Sequence, residues 1–200
     1  MHIETLVLGD LGTNCYIVSE HRDSHQILII DPADEPGRLI HAVNGRKIEA
    51  VLLTHGHFDH TAALPVLEGL PIYIHEGDAP YLTDGRLGSG GWEADKYVPR
   101  PEATCLLKDG DEIKLDGFSL PIRVMHTPGH TPGSCVYMMG DDFFTGDTLF
   151  NRGYGRYDLP GGDFKALVKS LRKLLSCAPD ARVYPGHGAP TTLQSERGTP

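Results

Sequence analysis

One short stretch constrains this chain more than any other, because three histidines and an aspartate fall within six residues. Residues 54–60 read Thr-His-Gly-His-Phe-Asp-His and follow the apolar run Ala-Val-Leu-Leu at 50–53. The apolar run predicts a buried β-strand that ends where the histidines begin. Imidazole and carboxylate groups together are typical ligands of borderline divalent metals such as Zn, Fe or Mn. The stretch therefore predicts a metal site at the end of a strand.

The spacing divides these four side chains between two ions. Alternate residues of an extended segment share a face, so His55 and His57 can reach one ion while Gly56 gives the backbone room to turn. Asp59 and His60 begin a predicted helix, where the chain has changed direction, so we expect them to reach a second, neighbouring ion. Taken alone, a histidine here could be an ordinary solvated side chain and Asp59 a helix cap.

Three later segments repeat this pattern of a β-prone run, a glycine and a metal-type ligand. They are residues 127–130, 143–147 and 183–187, and they end in His130, Asp147 and His187. A Gly-Asp turn is the alternative reading of Asp147 alone. The recurrence of the pattern predicts that all these strand ends converge.

Together the candidates suffice for two ions that share a carboxylate and a water. We expect three histidines at one ion, and two histidines with one aspartate at the other, with the remaining aspartate as the bridge. The predicted three-histidine set comprises His55, His57 and His130; the second set comprises Asp59, His60 and His187; Asp147 bridges. The two aspartates, Asp59 and Asp147, are thereby the candidate catalytic residues.

Composition narrows the class of protein. The chain has 200 residues, 40% of them hydrophobic, which predicts a single domain over residues 1–200. A net charge of −9 without any basic stripe argues against a nucleic-acid partner. Apolar runs are too short for a bilayer and the N-terminus does not resemble a signal peptide, so we expect no membrane partner and a cytoplasmic protein, with homo-oligomer formation left open. Four isolated cysteines are expected to be reduced.

Hydrophobic periodicity predicts more strands than helices. Strands are expected at residues 3–8, 13–18, 26–30, 50–53, 71–75, 112–127, 134–138, 143–145 and 182–184, and helices at 38–43, 59–68 and 163–176, with a helical turn at 77–82. Two sheets packed together with helices outside would bury these faces. Residues 83–101 contain four glycines and show no period, which predicts a long loop that covers the metal cleft.

At this point the chain resembles a known family. Residues 54–60, with Gly-His-Thr-Pro-Gly-Ser at 129–134, Gly-Asp-Thr-Leu-Phe at 146–150 and Pro-Gly-His-Gly at 185–188, resemble the metallo-β-lactamase superfamily, and within it the glyoxalase II (hydroxyacylglutathione hydrolase) group. The resemblance spans nearly the whole chain. It implies an α/β fold, the four-layer αββα sandwich, and a dinuclear centre held by the seven residues above, commonly zinc, with iron or manganese as alternatives.

The chain also departs from glyoxalase II proper. It ends soon after His187, where that group continues into a C-terminal helical domain, so it looks like the single-domain bacterial relatives. It has Ala189 where the group places a glutathione-contacting tyrosine. Residues 151–163 are similar to the group's loop after the bridging aspartate, which makes Arg156 and Tyr154 the candidate substrate-binding residues. Arg156 could pair with a substrate carboxylate or with Asp158.

The combined prediction is a metal-dependent hydrolase for a small molecule, acting on a thioester such as a hydroxyacylglutathione through a hydroxide that bridges two ions. Three alternatives stay open. The chain could be a persulfide dioxygenase-like enzyme with one iron, a β-lactamase or other ester or phosphodiester hydrolase, or a metal-binding module without enzymatic activity. Thr54, His126 and Thr131, beside the ligands, are expected to orient them.

Overall fold

A computed structural model describes residues 1–92, 94–178 and 180–198, and this part of the chain forms two six-stranded sheets. The first sheet comes from the N-terminal half, and its strands lie side by side in chain order. They are β1 (His2–Leu8), β2 (Thr13–Ser19), β3 (Gln26–Ile30), β4 (Lys47–Leu53), β5 (Ile72–His75) and β6 (Cys105–Leu107). Strands β1 to β3 pair antiparallel and β3 to β6 pair parallel, so the sheet is mixed.

The second sheet comes from the C-terminal half and is also mixed. Its strands are β7 (Glu112–Ile113), β8 (Ile122–His126), β9 (Cys135–Met139), β10 (Asp142–Gly146), β11 (Arg182–Pro185) and β12 (Thr191–Thr192). Strands β10 and β11 pair parallel, while the other neighbours pair antiparallel.

The helices are short except for the last. They are α1 (Pro36–Val43), α2 (Phe58–Thr61), α3 (Gly85–Gly88) and α4 (Phe164–Leu175), with 3-10 helices at Leu64–Leu67, Glu76–Leu82 and Ala94–Lys96. Asp163 caps α4 by accepting hydrogen bonds from the backbone N–H groups of Lys165 and Ala166, as expected from its sequence. None of the helices in the described ranges is long and apolar enough to cross a membrane.

Three apolar clusters separate the molecule into four layers. In β3, Leu28 and Ile30 point into the cluster between the two sheets, whereas Ile27 and Ile29 point into the cluster beneath α1. A third cluster joins α4 to the outer face of the second sheet. Alternating side chains bury both faces of each sheet, and this confirms the predicted αββα sandwich of two mixed sheets flanked by helices.

Some predicted elements were wrong in detail. The helix expected over residues 59–68 breaks into α2 and the 3-10 helix Leu64–Leu67. Pro65 explains the break, because proline has no N–H to donate to the Thr61 carbonyl and its ring crowds the preceding turn. Residues 83–101 are mostly irregular but include α3 and a 3-10 turn, and the short strands β6 and β12 were not predicted.

Sheet topology brings the ends of several strands to one edge. Strands β3, β4 and β5 run parallel, so their carboxyl ends lie together. Strands β10 and β11 do the same in the second sheet. Strand β2 links the two sheets there, because the Asn14 N–H donates to the Gly186 carbonyl over 2.7 Å. The predicted metal ligands follow β4, β8, β10 and β11 at this edge.

Candidate metal centre

The structure brings all seven predicted ligands together. Within each of three overlapping sets, one ligand atom per residue lies within 4.8 Å of the others. The sets are His55, His57 and His130; His55, His60 and Asp147; and Asp59, His60 and His187. Four ligands come from the stretch after β4 and three from the second sheet, so the centre lies where the two sheets meet.

The first position is made only of imidazoles. His57 Nδ1 lies 2.9 Å from His130 Nε2, and His130 Nε2 lies 3.2 Å from His55 Nε2. All three side chains are buried. Three ring nitrogens that converge in this way match a three-histidine metal site, as the spacing of the sequence predicted.

The second position contains carboxylates. Asp59 Oδ2 lies 3.4 Å from His60 Nε2 and 3.3 Å from His187 Nε2. Asp147 lies between the two positions, with Oδ1 at 3.4 Å from His60 Nε2 and Oδ2 at 3.6 Å from His130 Nε2. Oδ2 also lies 3.5 Å from His187 Nε2, so this oxygen faces a ligand of each position, an arrangement that suits the predicted bridging role.

Hydrogen bonds at the opposite ring nitrogens fix which atom four of the five histidines present. His60 Nδ1 donates to Asp31, His130 Nδ1 to the Arg156 carbonyl, and His187 Nδ1 to the Leu11 carbonyl. His55 Nδ1 lies 3.1 Å from the hydroxyl of Thr54, whose own proton goes to Asp31. These four residues therefore present Nε2, while His57 presents Nδ1. Such bonds orient metal-binding imidazoles in many proteins.

The two positions differ in charge. Burial and the neighbouring imidazoles lower the pKa of His55, and burial lowers the pKa of His57 to about 3, so both rings are neutral. Burial opposes the charge of His60, but Asp59, Asp147 and Asp31 outweigh it and raise the pKa of this histidine. Burial also opposes ionisation of Asp59 and Asp147, but His60 outweighs it and lowers the pKa of both carboxyls. The first position thus provides the neutral imidazoles of His55 and His57, and the second provides ionised carboxylates that favour a positive charge beside them.

Three buried nitrogen or oxygen atoms of the predicted ligands lack a hydrogen-bond partner within the protein. They are His57 Nε2, His60 Nε2 and Asp147 Oδ1. Buried polar atoms are nearly always satisfied, so exceptions point to a ligand. For His60 and Asp147 the unpartnered atoms are the ones that face the centre, and the residues present therefore fit a pair of divalent cations. Imidazole with carboxylate suits zinc, iron or manganese.

Two buried aspartates outside the predicted set support the ligand loops. Asp31 accepts hydrogen bonds from the Thr54 N–H over 2.8 Å, the Thr54 hydroxyl over 2.7 Å and His60 Nδ1 over 2.9 Å. Asp78 accepts from the Gly56 N–H over 2.9 Å, the Thr131 hydroxyl over 2.6 Å and the Gly133 N–H over 2.6 Å.

Sequence reasoning missed both roles, although a signal existed. Asp31 directly follows β3 and Asp78 closely follows β5, at the same sheet edge as the ligands. Of the three residues expected to orient ligands, Thr54 does contact one. Thr131 instead contacts Asp78, and His126 Nε2 donates to the Pro132 carbonyl, so these two hold the loop that carries His130.

Five of the seven predicted ligands, all except His55 and His60, line a cleft of about 430 Å³. Tyr154 and Arg156, the predicted substrate-binding residues, both line it. The guanidinium of Arg156 forms a two-point ion pair with Asp158, over 2.9 and 2.8 Å, and lies 5.9 Å from the ring centre of Trp92. Ser89, Gly90 and Trp92 also line the cleft, so part of the 83–101 segment does border the centre, as expected.

Comparison with known proteins agrees with this arrangement. Hydroxyacylglutathione hydrolase GloC of Haemophilus influenzae is 34% identical, over 98% of this chain and 95% of that protein. The crystal structure of the BLEG-1 B3 metallo-beta-lactamase has a TM-score of 0.89 and 30% identity, covering 98% of this chain and 97% of the other. That of TTHA1623 in a di-iron-bound form has a TM-score of 0.82 and 39% identity, covering 98% of both chains.

The sequence model of one protein family matches most of the chain. The model of the metallo-beta-lactamase superfamily matches residues 8–187, a range that includes every ligand described above. With two mixed sheets in an αββα sandwich and the histidines and aspartates gathered at one edge, the chain belongs to the metallo-beta-lactamase superfamily.

Proposed function

We propose that the protein is a hydrolase that uses two divalent metal ions to cleave thioesters of small molecules. The observation that carries the proposal is the position of Asp147 between two ligand groups at the floor of an accessible cleft. The likeness to a hydroxyacylglutathione hydrolase supports the thioester class. We propose zinc as the resident metal, with iron or manganese as alternatives, and the di-iron form of a relative supports keeping iron among them.

The seven residues at the centre would have different roles in such a reaction. His55, His57 and His130 would hold one ion, and Asp59, His60 and His187 the other, with Asp147 shared between them. Two bound cations supply hydroxide at neutral pH and stabilise the negative charge that develops on a carbonyl oxygen. Because a thiolate leaves readily, the reaction needs no strong general acid from the protein. The low pKa of Asp59 and Asp147 keeps both carboxylates ionised at neutral pH.

Replacement of the proposed bridge tests the assignment. Asp147→Ala is expected to lose metal and thioesterase activity together, because the shared carboxylate holds both ions. Metal content by elemental analysis and hydrolysis of a thioester would be measured on the same preparation. Thr192→Ala, at a half-buried position on β12 away from the cleft, is the matched control and is expected to keep both. Full activity in a metal-loaded Asp147→Ala variant would contradict the proposal.

A substrate panel separates the proposal from its alternatives. Elemental analysis of the native protein would be combined with assays on a thioester, a β-lactam, a phosphodiester and a persulfide. We expect two metal ions per chain and thioester hydrolysis. One iron per chain with oxygen consumption would favour the persulfide dioxygenase. Lactam hydrolysis alone would favour a β-lactamase, an alternative that the likeness to BLEG-1 supports. No turnover of any of these would favour a metal-binding module. Cytoplasmic location and homo-oligomer formation stay predictions.

A further inference from the structure

Apolar side chains border the cleft at both ends of the metal centre. Near His187, the ring of Phe150 lies 5.9 Å from the imidazole and nearly perpendicular to it, and Leu11 and Phe58 line the same end. At the other end are Trp92 and Leu159. Trp92 and Leu11 are 64% and 57% exposed. Large apolar side chains that cluster around a functional cleft mark a surface on which an apolar ligand is bound.

The backbone holds this apolar border close to the ligands. The Leu11 carbonyl accepts the hydrogen bond from His187 Nδ1, and Phe58 directly precedes Asp59. Phe150 is fixed by a hydrogen bond from its N–H to the Gly153 carbonyl. A group attached to a carbonyl over the centre would therefore meet these side chains within a few atoms of the reacting carbon.

The charge of the cleft does not suit a ligand with several carboxylates. Among the cleft-lining residues that the structure describes, Arg156 is the one lysine or arginine, and Asp158 already binds its guanidinium at two points. A glutathione thioester carries two carboxylates, each of which needs a cationic or N–H partner when it leaves water.

We infer that the substrates are thioesters with an apolar, uncharged acyl group and an uncharged thiol portion, rather than thioesters of glutathione. The inference rests on the proposed thioesterase function and names its substrate class. Transfer of a methylene group from water to an apolar surface strengthens binding about fourfold when the group is fully buried. Affinity is therefore expected to rise with acyl chain length.

Trp92 provides a direct test, because it is the one tryptophan of the sequence and lies on the cleft. Its fluorescence would be followed while metal-loaded protein is titrated with non-hydrolysable thioethers: S-ethyl, S-butyl and S-hexyl N-acetylcysteamine, and S-hexylglutathione. We expect the Kd to fall at least tenfold from ethyl to hexyl, with S-hexylglutathione binding no more tightly than its N-acetylcysteamine counterpart. A Kd independent of chain length, or tenfold tighter binding of the glutathione thioether, would overturn the inference.

A pair of variants tests whether the cleft causes the dependence of Kd on chain length. Phe150→Ala keeps Trp92 as the reporter and is expected to reduce the hexyl-to-ethyl affinity ratio at least threefold. Val98→Ala is the control, because Val98 is 62% exposed on the same segment as Trp92 but does not line the cleft, and it is expected to leave the ratio unchanged. An unchanged ratio in Phe150→Ala would count against the inference.

Hydrolysis assays distinguish this inference from the proposed function. The hexanoyl and acetyl thioesters of N-acetylcysteamine would be compared with S-lactoylglutathione, and we expect the hexanoyl thioester to have the highest kcat/KM. Hydrolysis with a preference for S-lactoylglutathione would overturn the inference and leave the proposed function standing. Binding that depends on chain length without hydrolysis of any thioester would overturn both the thioester class and the proposed function.

Discussion

Asp31 and Asp78 are both buried carboxylates that accept three hydrogen bonds behind the metal centre, yet they support it in different ways. Asp31 bonds directly to the imidazole of His60, so it acts on a ligand itself. Asp78 bonds to none of the seven ligands and instead ties the backbone at Gly56 to the loop at Thr131 and Gly133. One carboxylate orients a ring, and the other fixes the distance between two loops.

The difference shows that the two halves of the centre depend on different kinds of support. The position that contains carboxylates relies on charge, since the pKa of His60 is raised by the surrounding aspartates despite burial. The three-histidine position relies on backbone placement, since burial lowers the pKa of His55 and His57 and keeps these two rings neutral. Variants of the two aspartates and of the glycines nearby should therefore affect the two halves differently.

The largest expected effect is that of Asp31→Ala. The variant leaves His60 Nδ1 and both donors of Thr54 buried without a partner, at a cost of about 1–3 kcal/mol for each group. We expect metal affinity to fall about 100-fold, together with a lower free energy of unfolding in urea. Asp31→Asn is the matched control, because Asp31 has a φ of 50°, which asparagine adopts readily. It should preserve folding while metal affinity still falls; unchanged affinity in both variants would refute the role of Asp31.

Two glycine substitutions sharpen the comparison. A Cβ on Gly186 would lie 2.2 Å from Asp147 Oδ1, whereas one on Gly56 would lie 2.3 Å from Tyr81 Cβ and 3.1 Å from the Asp78 carbonyl. Gly186→Ala is expected to displace a ligand and lower metal affinity more than tenfold. Gly56→Ala should chiefly lower the free energy of unfolding, by roughly 1–3 kcal/mol, because packed groups near the backbone must move.

The control for both is an unobstructed glycine. Gly37 in α1 has no atom within 4 Å of an added Cβ. Gly37→Ala should therefore leave metal affinity unchanged and should not lower the free energy of unfolding. Metal affinity would be measured by chelator competition and stability by urea unfolding. If Gly186→Ala destabilised the fold more than Gly56→Ala did and kept its metal, the division between ligand and backbone support would be wrong.

Asp78→Ala is expected to have a smaller effect on the metal than Asp31→Ala. It leaves two buried backbone N–H groups without an acceptor and removes the bond from the Thr131 hydroxyl, which keeps Ser134 as a partner, but it touches no ligand. We expect about a tenfold loss of metal affinity. If chelator competition resolves two binding steps, the two variants should weaken different steps and their effects should add in the double variant. Weakening of the same step by both would break the comparison.

The prediction that bears least on metal binding is a pH dependence of the free energy of unfolding, which arises from Asp78. Burial raises the pKa of this carboxyl from 3.8 to about 6, although its three hydrogen bonds oppose the change. The folded protein therefore holds this proton more tightly than the unfolded chain does. The associated stability is fully present below pH 3.8 and is lost as pH rises to about 6.

Comparison with Asp78→Asn isolates this contribution, because asparagine does not titrate. The free energy of unfolding of wild type and variant would both be measured in urea with chelator. As pH rises from 4 to 7, the wild type should lose roughly 2–3 kcal/mol at most relative to the variant. Parallel stability curves over this range would show that Asp78 keeps an ordinary pKa.

The sequence predicted which histidines and aspartates gather at one sheet edge, because their segments follow recognisable strands and contain glycine. His130 and His187 could be placed beside His55 on that pattern alone. Asp78 could not, since a single aspartate in the irregular segment after β5 carries no motif, and its role depends on contacts with residues 22 to 55 positions away. The break at Pro65 could have been expected from proline chemistry. Strand β12 has only two residues, too few for a periodic pattern.

The division of ligands between the two sheets has a consequence for biosynthesis. Residues 55–60 leave the ribosome well before residue 187, so the second position lacks His187 until the strands of the second sheet have been made. A nascent chain can therefore offer histidines to passing ions without yet presenting the complete reactive pair. The seven side chains can come together only after residue 187 has been made and β11 has docked.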